Sequence, residues 1–504
     1  MKPDRLLNRR RFLKRLGFTA AALASAPLSA LAEAQQPPKP NFVFFLIDDM
    51  GWTDLGCFGS TFYETPHIDR LAAQGMRFTD AYAACPVCSP TRASIMTGKY
   101  PARVGITNYI AGRREGKLIE PDYLFNMPLE EVTVAEAFKE AGYRCGFLGK
   151  WHLCHGPDEE TYRPDRQGFD MNKGGSIAGA PRGRKSAFEG GFFPPYANPA
   201  LPDGPKGEYL TDRLTDEAVT FIEANKDRPF FLYLSHYAVH NPQQAKAEYI
   251  EKYKAKLEKM PASDQPEFIA EGASQARQIQ NKPVYAAMVQ SVDDSVGRVM
   301  AELARLGLAD NTVVIFMSDN GGLSTSEGSP TSNVPLRAGK GWLYEGGIRE
   351  PMIVKWPGVT KPGAVSDAVV TSTDFYPTML EMAGLPSKPS QHVDGRSFVG
   401  ALKQQPDFDR GPVFWHYPHY GNQGGTPGGA VRSGDYKLIE FYEDMHLELY
   451  NLAEDLSEKN NLAAKMPQKA NALRQMLHNW RKQVNAKMPT PNPNYKGGPP
   501  QARP

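Results

Sequence analysis

Four short runs in this chain are apolar almost throughout, and each stops abruptly at residues that carry charge or titrate. Asn41 to Ile47 (NFVFFLI) ends in Asp48-Asp49, and Thr312 to Met317 (TVVIFM) ends in Ser318-Asp319-Asn320-Gly321-Gly322. Phe230 to Leu234 (FFLYL) leads into Ser235-His236-Tyr237-Ala238-Val239-His240, and Arg144 to Leu148 (RCGFL) into Gly149-Lys150-Trp151-His152. A strand that is apolar at every residue, rather than at every second one, has to be covered on both faces. Helix-spaced apolar positions at residues 65–75, 131–142, 209–225 and 284–306 supply the covering layers, so the order of elements predicts an α/β fold. In open α/β sheets the ligand crevice lies beyond the carboxyl ends of the strands, and the four tails are expected to meet there.

One further segment carries chemistry: Cys88-Ser89-Pro90-Thr91-Arg92 runs into Ala93-Ser94-Ile95-Met96-Thr97-Gly98. Ser89 is a good N-cap, Pro90 suits the first helical position and Gly98 can close the helix, which places Cys88 at a helix N-terminus. Orphan N–H groups and the positive dipole end attract an anion there, and Arg92 adds a fork of donors one turn on. Asp48, Asp49, Asp319 and Asn320 offer four hard oxygen ligands, which suit calcium or magnesium; no Cys/His cluster with zinc spacing competes. Taken singly, each of these is more often a cap or turn residue, and Lys150, His152, His240 and Lys340 are more often a surface lysine or a core histidine. Their weight comes from occurring together.

The motifs D-D-x-G-W, T-P-H-I-D-R-L-A, C-S-P-T-R, M-T-G-K-Y-P, G-K-W-H, S-D-N-G and E-G-G-I-R-E-P follow in order between residues 40 and 465. With them the chain resembles the type I, formylglycine-dependent sulfatases, arylsulfatase-like and nearest to bacterial carbohydrate sulfatases. The resemblance implies an alkaline-phosphatase-like mixed sheet sandwiched by helices, with a smaller C-terminal α+β domain. It implies that a formylglycine-generating enzyme oxidises Cys88, whose aldehyde hydrate then attacks a sulfate ester. It assigns one cation, calcium or in second place magnesium, to Asp48, Asp49, Cys88, Asp319 and Asn320. Arg92, Lys150 and Lys340 would hold sulfate oxygens, His240 would assist the leaving alcohol, and His152 would be the base that releases sulfate. His236 matches no family position and is read as a core histidine. Cys154, where relatives commonly have glycine, is a departure that could narrow the pocket. Two alternatives stand beside this reading: a phosphoester or phosphonate hydrolase of the same fold, for which no second ligand set is found, and a non-catalytic sulfated-glycan binder with Cys88 unmodified.

The remaining sequence bounds the setting. In 504 residues, 58 Lys and Arg face 56 Asp and Glu, so the net charge of +2 gives no electrostatic case for nucleic acid or a charged membrane surface. Asn8-Arg9-Arg10-Arg11-Phe12-Leu13-Lys14 resembles a twin-arginine signal, and the Ala- and Ser-rich stretch to Ala30-Leu31-Ala32 resembles a leader with a cleavage site. Residues 1–32 are therefore expected to be removed after passage through the twin-arginine translocase to the periplasm or beyond, with no stable membrane insertion. Five cysteines leave one unpaired in an exported chain, with Cys145–Cys154 or Cys57–Cys85 as open pairings.

The catalytic domain is expected over 40–386 and a C-terminal subdomain over 387–487. Short strands at 412–415, 429–431, 436–441 and 447–449 would form an antiparallel sheet under a helix at 466–485. Residues 176–208 read as a long surface loop near the site, 244–280 as a charged helical excursion, and 488–504 as a disordered tail. His416-Tyr417-Pro418-His419-Tyr420, before the glycine-rich 421–429, looks like runs in sulfatases that act on galactose or N-acetylgalactosamine sulfates. His416 and His419 are expected to meet the sulfated glycan, or the small sulfate ester, that is the substrate.

Overall fold

The computed structural model describes residues 39–502. The leader expected over residues 1–32 lies outside them. Eight strands form the central sheet: Asn41–Ile47 (β1), Met76–Phe78 (β2), Arg144–Gly149 (β3), Met171–Lys173 (β4), Phe230–Ser235 (β5), Thr312–Ser318 (β6), Met352–Lys355 (β7) and Ala364–Ser366 (β8). Their order is β8-β2-β7-β6-β1-β5-β3-β4, with β7 antiparallel to both neighbours and every other pairing parallel.

The apolar runs alternate their side chains between two packed layers. Val43, Phe45 and Ile47 join Leu234 and Phe316 under the helices Leu210–Ala224 and Pro283–Arg305. Phe42, Phe44 and Leu46 join Tyr233 and Ile315 on the other face, under Cys88–Thr97, Val134–Glu140 and Phe375–Met382. Each fully buried side chain of this size contributes roughly 1.5–3 kcal/mol relative to exposure, so the sheet cannot slip register without loss on both sides.

Val413–Tyr417 (β9), Gly428–Ser433 (β10), Tyr436–Phe441 (β11) and Leu447–Asn451 (β12) make the expected antiparallel sheet. One face, with Val431, Leu438 and Leu449, receives the helix Pro467–Gln483 through Leu473, Leu477 and Trp480. The other, with Trp415, Ala430 and Ile439, packs on Cys85 and Val87 just before Cys88 and on Trp342 and Leu343 just after Lys340. Residues from Pro40 on accordingly form one compact unit, with no separate body beginning at 387.

Three expectations change. The tail is ordered through Ala502: Thr490–Pro491 pairs with Leu118–Ile119 and Gln501–Ala502 with Arg114–Glu115, which satisfies an otherwise open strand edge. Residues 244–280 contain a helix, Ala247–Leu257, and also a hairpin, Phe268–Glu271 with Ser274–Arg277. All five cysteines are free thiols, and neither open pairing is formed. Among the described residues no helix is long and apolar enough to cross a membrane.

Candidate active site

Register brings the four tails to one line. Ile47 lies opposite Ser318, Leu46 opposite Ser235, and Ser235 opposite Gly149, so the chain leaves the sheet at one level on β1, β6, β5 and β3. Main-chain bonds then tie the tails together: Asp48 N donates to the Ala238 carbonyl at 3.0 Å, Val239 N to that of Asp48 at 2.8 Å, and Lys150 N to that of Ser235 at 2.7 Å. Asp49 and His152 sit at φ 64° and 55°, a left-handed region that non-glycine residues enter rarely and mostly at functional sites.

The helix Cys88–Thr97 begins two residues before its expected first turn. Val87 is the N-cap, with no side-chain cap, and Gly98 closes the helix at φ 68°. Ser89 does not cap; its Oγ donates to the His152 carbonyl at 2.8 Å, which fixes one tail against the helix start. Cys88 thus stands at the first helical position, with its Sγ 3.4 Å from Nδ1 of His152. Burial pushes the Cys88 thiol up, against the pull of Lys150 and Lys340. Burial, with Lys150 and Arg92 beside it, holds His152 well below the ordinary histidine range, so its ring is neutral.

Asp48, Asp49, Asp319 and Asn320 are fully buried together. Lys150 Nζ donates to both oxygens of Asp48 at 3.0 and 2.8 Å, and Lys340 Nζ lies 2.7 Å from Asp49 Oδ1. Burial pushes Asp48 up to about 8 in spite of Lys150, whereas Lys340 and His240 overcome burial at Asp49 and hold it below the usual carboxylate range. Asn320 Oδ1 is buried with no hydrogen-bond partner among the described residues. A crowded carboxyl pushed toward neutrality and an orphaned amide oxygen beside it are what an oxygen-ligated divalent cation would resolve, so the donor set fits calcium or magnesium.

A cavity of about 370 Å³ opens above this cluster, lined by Cys88, His152, His240 and Lys340. Arg92 and Lys150 do not line it. Arg92 lies behind, with Nε and Nη2 donating to Asp319 Oδ2 at 2.9 and 2.6 Å and Nη1 to the Lys150 carbonyl and Ser235 Oγ, each at 2.7 Å. Four of its five N–H donors are taken by these groups and the side chain lies behind the cavity wall, so the expectation that it holds sulfate oxygens gives way to one of fixing Asp319.

His416 and His419 are also absent from the lining. Both rings are buried with both nitrogens bonded: His416 to Tyr442 Oη at 2.8 Å and the Lys487 carbonyl at 3.0 Å, His419 to Glu120 at 2.7 Å and Thr107 at 2.8 Å. They are structural, because a ring with no free nitrogen has nothing to offer a sugar. The C-terminal segment reaches the cavity instead through Asn422 and Gln423 of the glycine-rich loop, beside Arg182, Glu327 and Tyr109. Composition pointed to the loops 176–208 and 421–429, but nothing local marked Glu327. Cys154 is buried in the core and does not line the cavity, and His236 is a core histidine bonded to Ser295 at 2.9 Å.

The geometry has its counterpart in known proteins. A family model described as Sulfatase matches residues 40–385. The chain belongs to the sulfatase family. A model described as N-sulphoglucosamine sulphohydrolase, C-terminal, matches residues 338–487 of this sulfatase. The sulfatase is 35% identical to a sulfatase of Formosa agariphila over 88% of each chain, and 34% identical to the N-acetylgalactosamine-6-sulfatase of Mus musculus over 83% of this chain and 76% of the mouse protein. Among solved structures it is similar to Ps i-CgsB in complex with k-i-k-neocarrahexaose, at 29% identity and a TM-score of 0.71, covering 88% of this chain and 92% of that one. The sulfatase is a sulfuric ester hydrolase, with a mixed α/β core and a C-terminal antiparallel sheet and helix.

Proposed function

We propose that this sulfatase hydrolyses a sulfate monoester of a carbohydrate, of galactose or N-acetylgalactosamine type, through formylglycine made from Cys88 and one divalent cation, calcium before magnesium. The observation that carries the reading is that Cys88, His152, His240 and Lys340, from four separate segments, line one cavity over the oxygen cluster. Formylglycine at position 88 would supply a hydrated aldehyde as nucleophile, and Asp48, Asp49, Asp319, Asn320 and residue 88 would hold a cation whose charge would favour loss of a proton from that hydrate.

The chain's own groups do the rest. Lys340 presents its ammonium to a sulfate oxygen from a loop pinned on both sides, Lys340 N to the Gly322 carbonyl at 3.1 Å and Gly341 N to that of Pro86 at 2.8 Å. His240 Nδ1 donates to the Asn241 carbonyl at 2.9 Å, which leaves Nε2 as the nitrogen facing the leaving oxygen; burial and Lys340 hold the ring toward its neutral form, so Nε2 first takes up a proton from solvent and then passes it to that oxygen. His152 Nδ1, beside the side chain of residue 88, accepts the proton that releases sulfate. Arg92 and Lys150 hold Asp319 and Asp48 in place rather than touching substrate. For the carbohydrate, support comes from the polar wall of Asn422, Gln423, Glu327 and Arg182 and from relatives named for sugar sulfates. In this reading the twin-arginine leader delivers the folded, modified enzyme to the periplasm or outside the cell.

Two measurements test it together. From a host with the maturation system, the tryptic peptide carrying residue 88 is expected about 18 Da lighter than its cysteine form, and the enzyme is expected to release sulfate from monosulfated galactose or N-acetylgalactosamine. A peptide that shows only thiol removes the nucleophile. Stoichiometric zinc in active enzyme would favour phosphatase-like chemistry.

A further inference from the structure

Among the described side chains lining the cavity, Glu327 is the only carboxylate, in a wall that otherwise carries Lys340, Arg182 and histidines. Its position is fixed from two other parts of the chain. Asn241, next to His240, donates from Nδ2 to Oε2 at 3.1 Å and to the Glu327 carbonyl at 3.2 Å. Asn422 Nδ2 and Gln423 Nε2, on the C-terminal loop, donate to Oε1 at 2.6 and 3.1 Å. Its backbone is held at φ 53°, in the left-handed region. A carboxylate offers about four lone-pair directions. Three amide donors use three of them, and Oε2 keeps one.

We propose that Glu327 is a specificity-determining residue: its carboxylate accepts a hydroxyl of the sugar that carries the scissile sulfate, and it rejects a sugar with a second sulfate or a carboxylate beside that group. The inference rests on the carbohydrate reading above. A neutral hydroxyl completes the coordination of Oε2, whereas a second anion meets a like charge that the three amides prevent from swinging away. Arg182 faces the same cavity and is exposed like Glu327, but no hydrogen bond among the described residues holds its side chain, whereas three amides hold the carboxylate, so the fixed charge sets the choice.

The experiment compares kcat/KM within pairs of substrates that differ by one anion. Monosulfated against disulfated galactose is one pair, and 4-nitrophenyl sulfate against its ring-carboxylated analogue is the other. Wild-type enzyme is expected to prefer the single anion by about tenfold or more in each pair, and Glu327→Gln to bring both ratios toward one. Glu327→Gly, which suits the left-handed backbone, repeats the test if the glutamine variant melts early. If rates fall in both members of a pair while the ratio stays at the wild-type value, Glu327 is a clamp between loops and the inference is overturned. If no sulfated sugar is turned over, the carbohydrate reading fails by itself, and the ratio of the aryl pair still decides the role of Glu327.

Discussion

Tyr442 Oη and the Lys487 carbonyl occupy both ring nitrogens of His416, and burial pushes this histidine down from 6.5 to about 3. The unfolded chain takes up a proton near pH 6.5 that the folded chain refuses until about pH 3. The unfolded state therefore binds more protons in that window, and this contribution to stability falls as pH drops below 6.5, by about 1.4 kcal/mol per unit. His416→Asn is expected to remove that slope when denaturant unfolding at pH 5, 6 and 7 is compared with wild type. The same substitution should lower turnover of a sulfated sugar and of 4-nitrophenyl sulfate by equal factors. A loss confined to the sugar would return His416 to the substrate.

Strand ends and buried charges hold the site at the scale of elements. Gly149 ends β3 at φ 96°, and a Cβ there would lie 1.9 Å from the Ser235 carbonyl oxygen of β5, a backbone atom that no rotamer change can move. Gly149→Ala is expected to destabilise by about 2–4 kcal/mol and to remove most activity, because it parts the strand ends that carry Lys150 and His240; urea unfolding with an aryl sulfate assay reads both. Lys437 on β11 lies 2.9 Å from both Glu345 and Glu458, all three buried, and so ties the C-terminal sheet to the segment after Lys340. Lys437→Met leaves the buried Glu458 carboxylate without its cation and Glu345 with only Arg349 among the described residues, and should destabilise by about 3–5 kcal/mol. Replacing Lys437 and Glu458 together with apolar residues of similar volume, with Glu345 kept on Arg349, should recover most of that loss, an outcome that separates charge pairing from packing.

For the whole molecule, a cation bound only by the folded state raises stability by mass action, about 2.7 kcal/mol at a concentration one hundred times its Kd. Calcium added to chelator-treated enzyme is thus expected to raise the melting temperature, and Asn320→Ala, which removes the orphaned oxygen donor, should blunt the response. No shift in wild type would show that these oxygens hold no cation. The C-terminal sheet adds to the same architecture, because its inner face packs on the chain just before Cys88 and on either side of Lys340.

By itself the sequence determined the doubly covered sheet, the four tails and the helix at Cys88, because strand burial and helix periodicity are written in neighbouring residues. It also carried Asp48, Asp49, Asp319 and Asn320 of the oxygen cluster, and His152, His240 and Lys340, as motifs. Only tertiary structure decided which polar groups face the cavity. Arg92 has the chemistry to bind sulfate, yet Asp319, Ser235 and Lys150, distant in the chain, take up four of its five donors. His416 and Gln423 stand seven residues apart on one segment, and only the partners each meets across the fold make the first a scaffold residue and the second part of the cavity wall. The tail 488–502 looks disordered in composition but finds the open edge at 114–119, a pairing set by where two remote backbones end with free N–H and C=O groups.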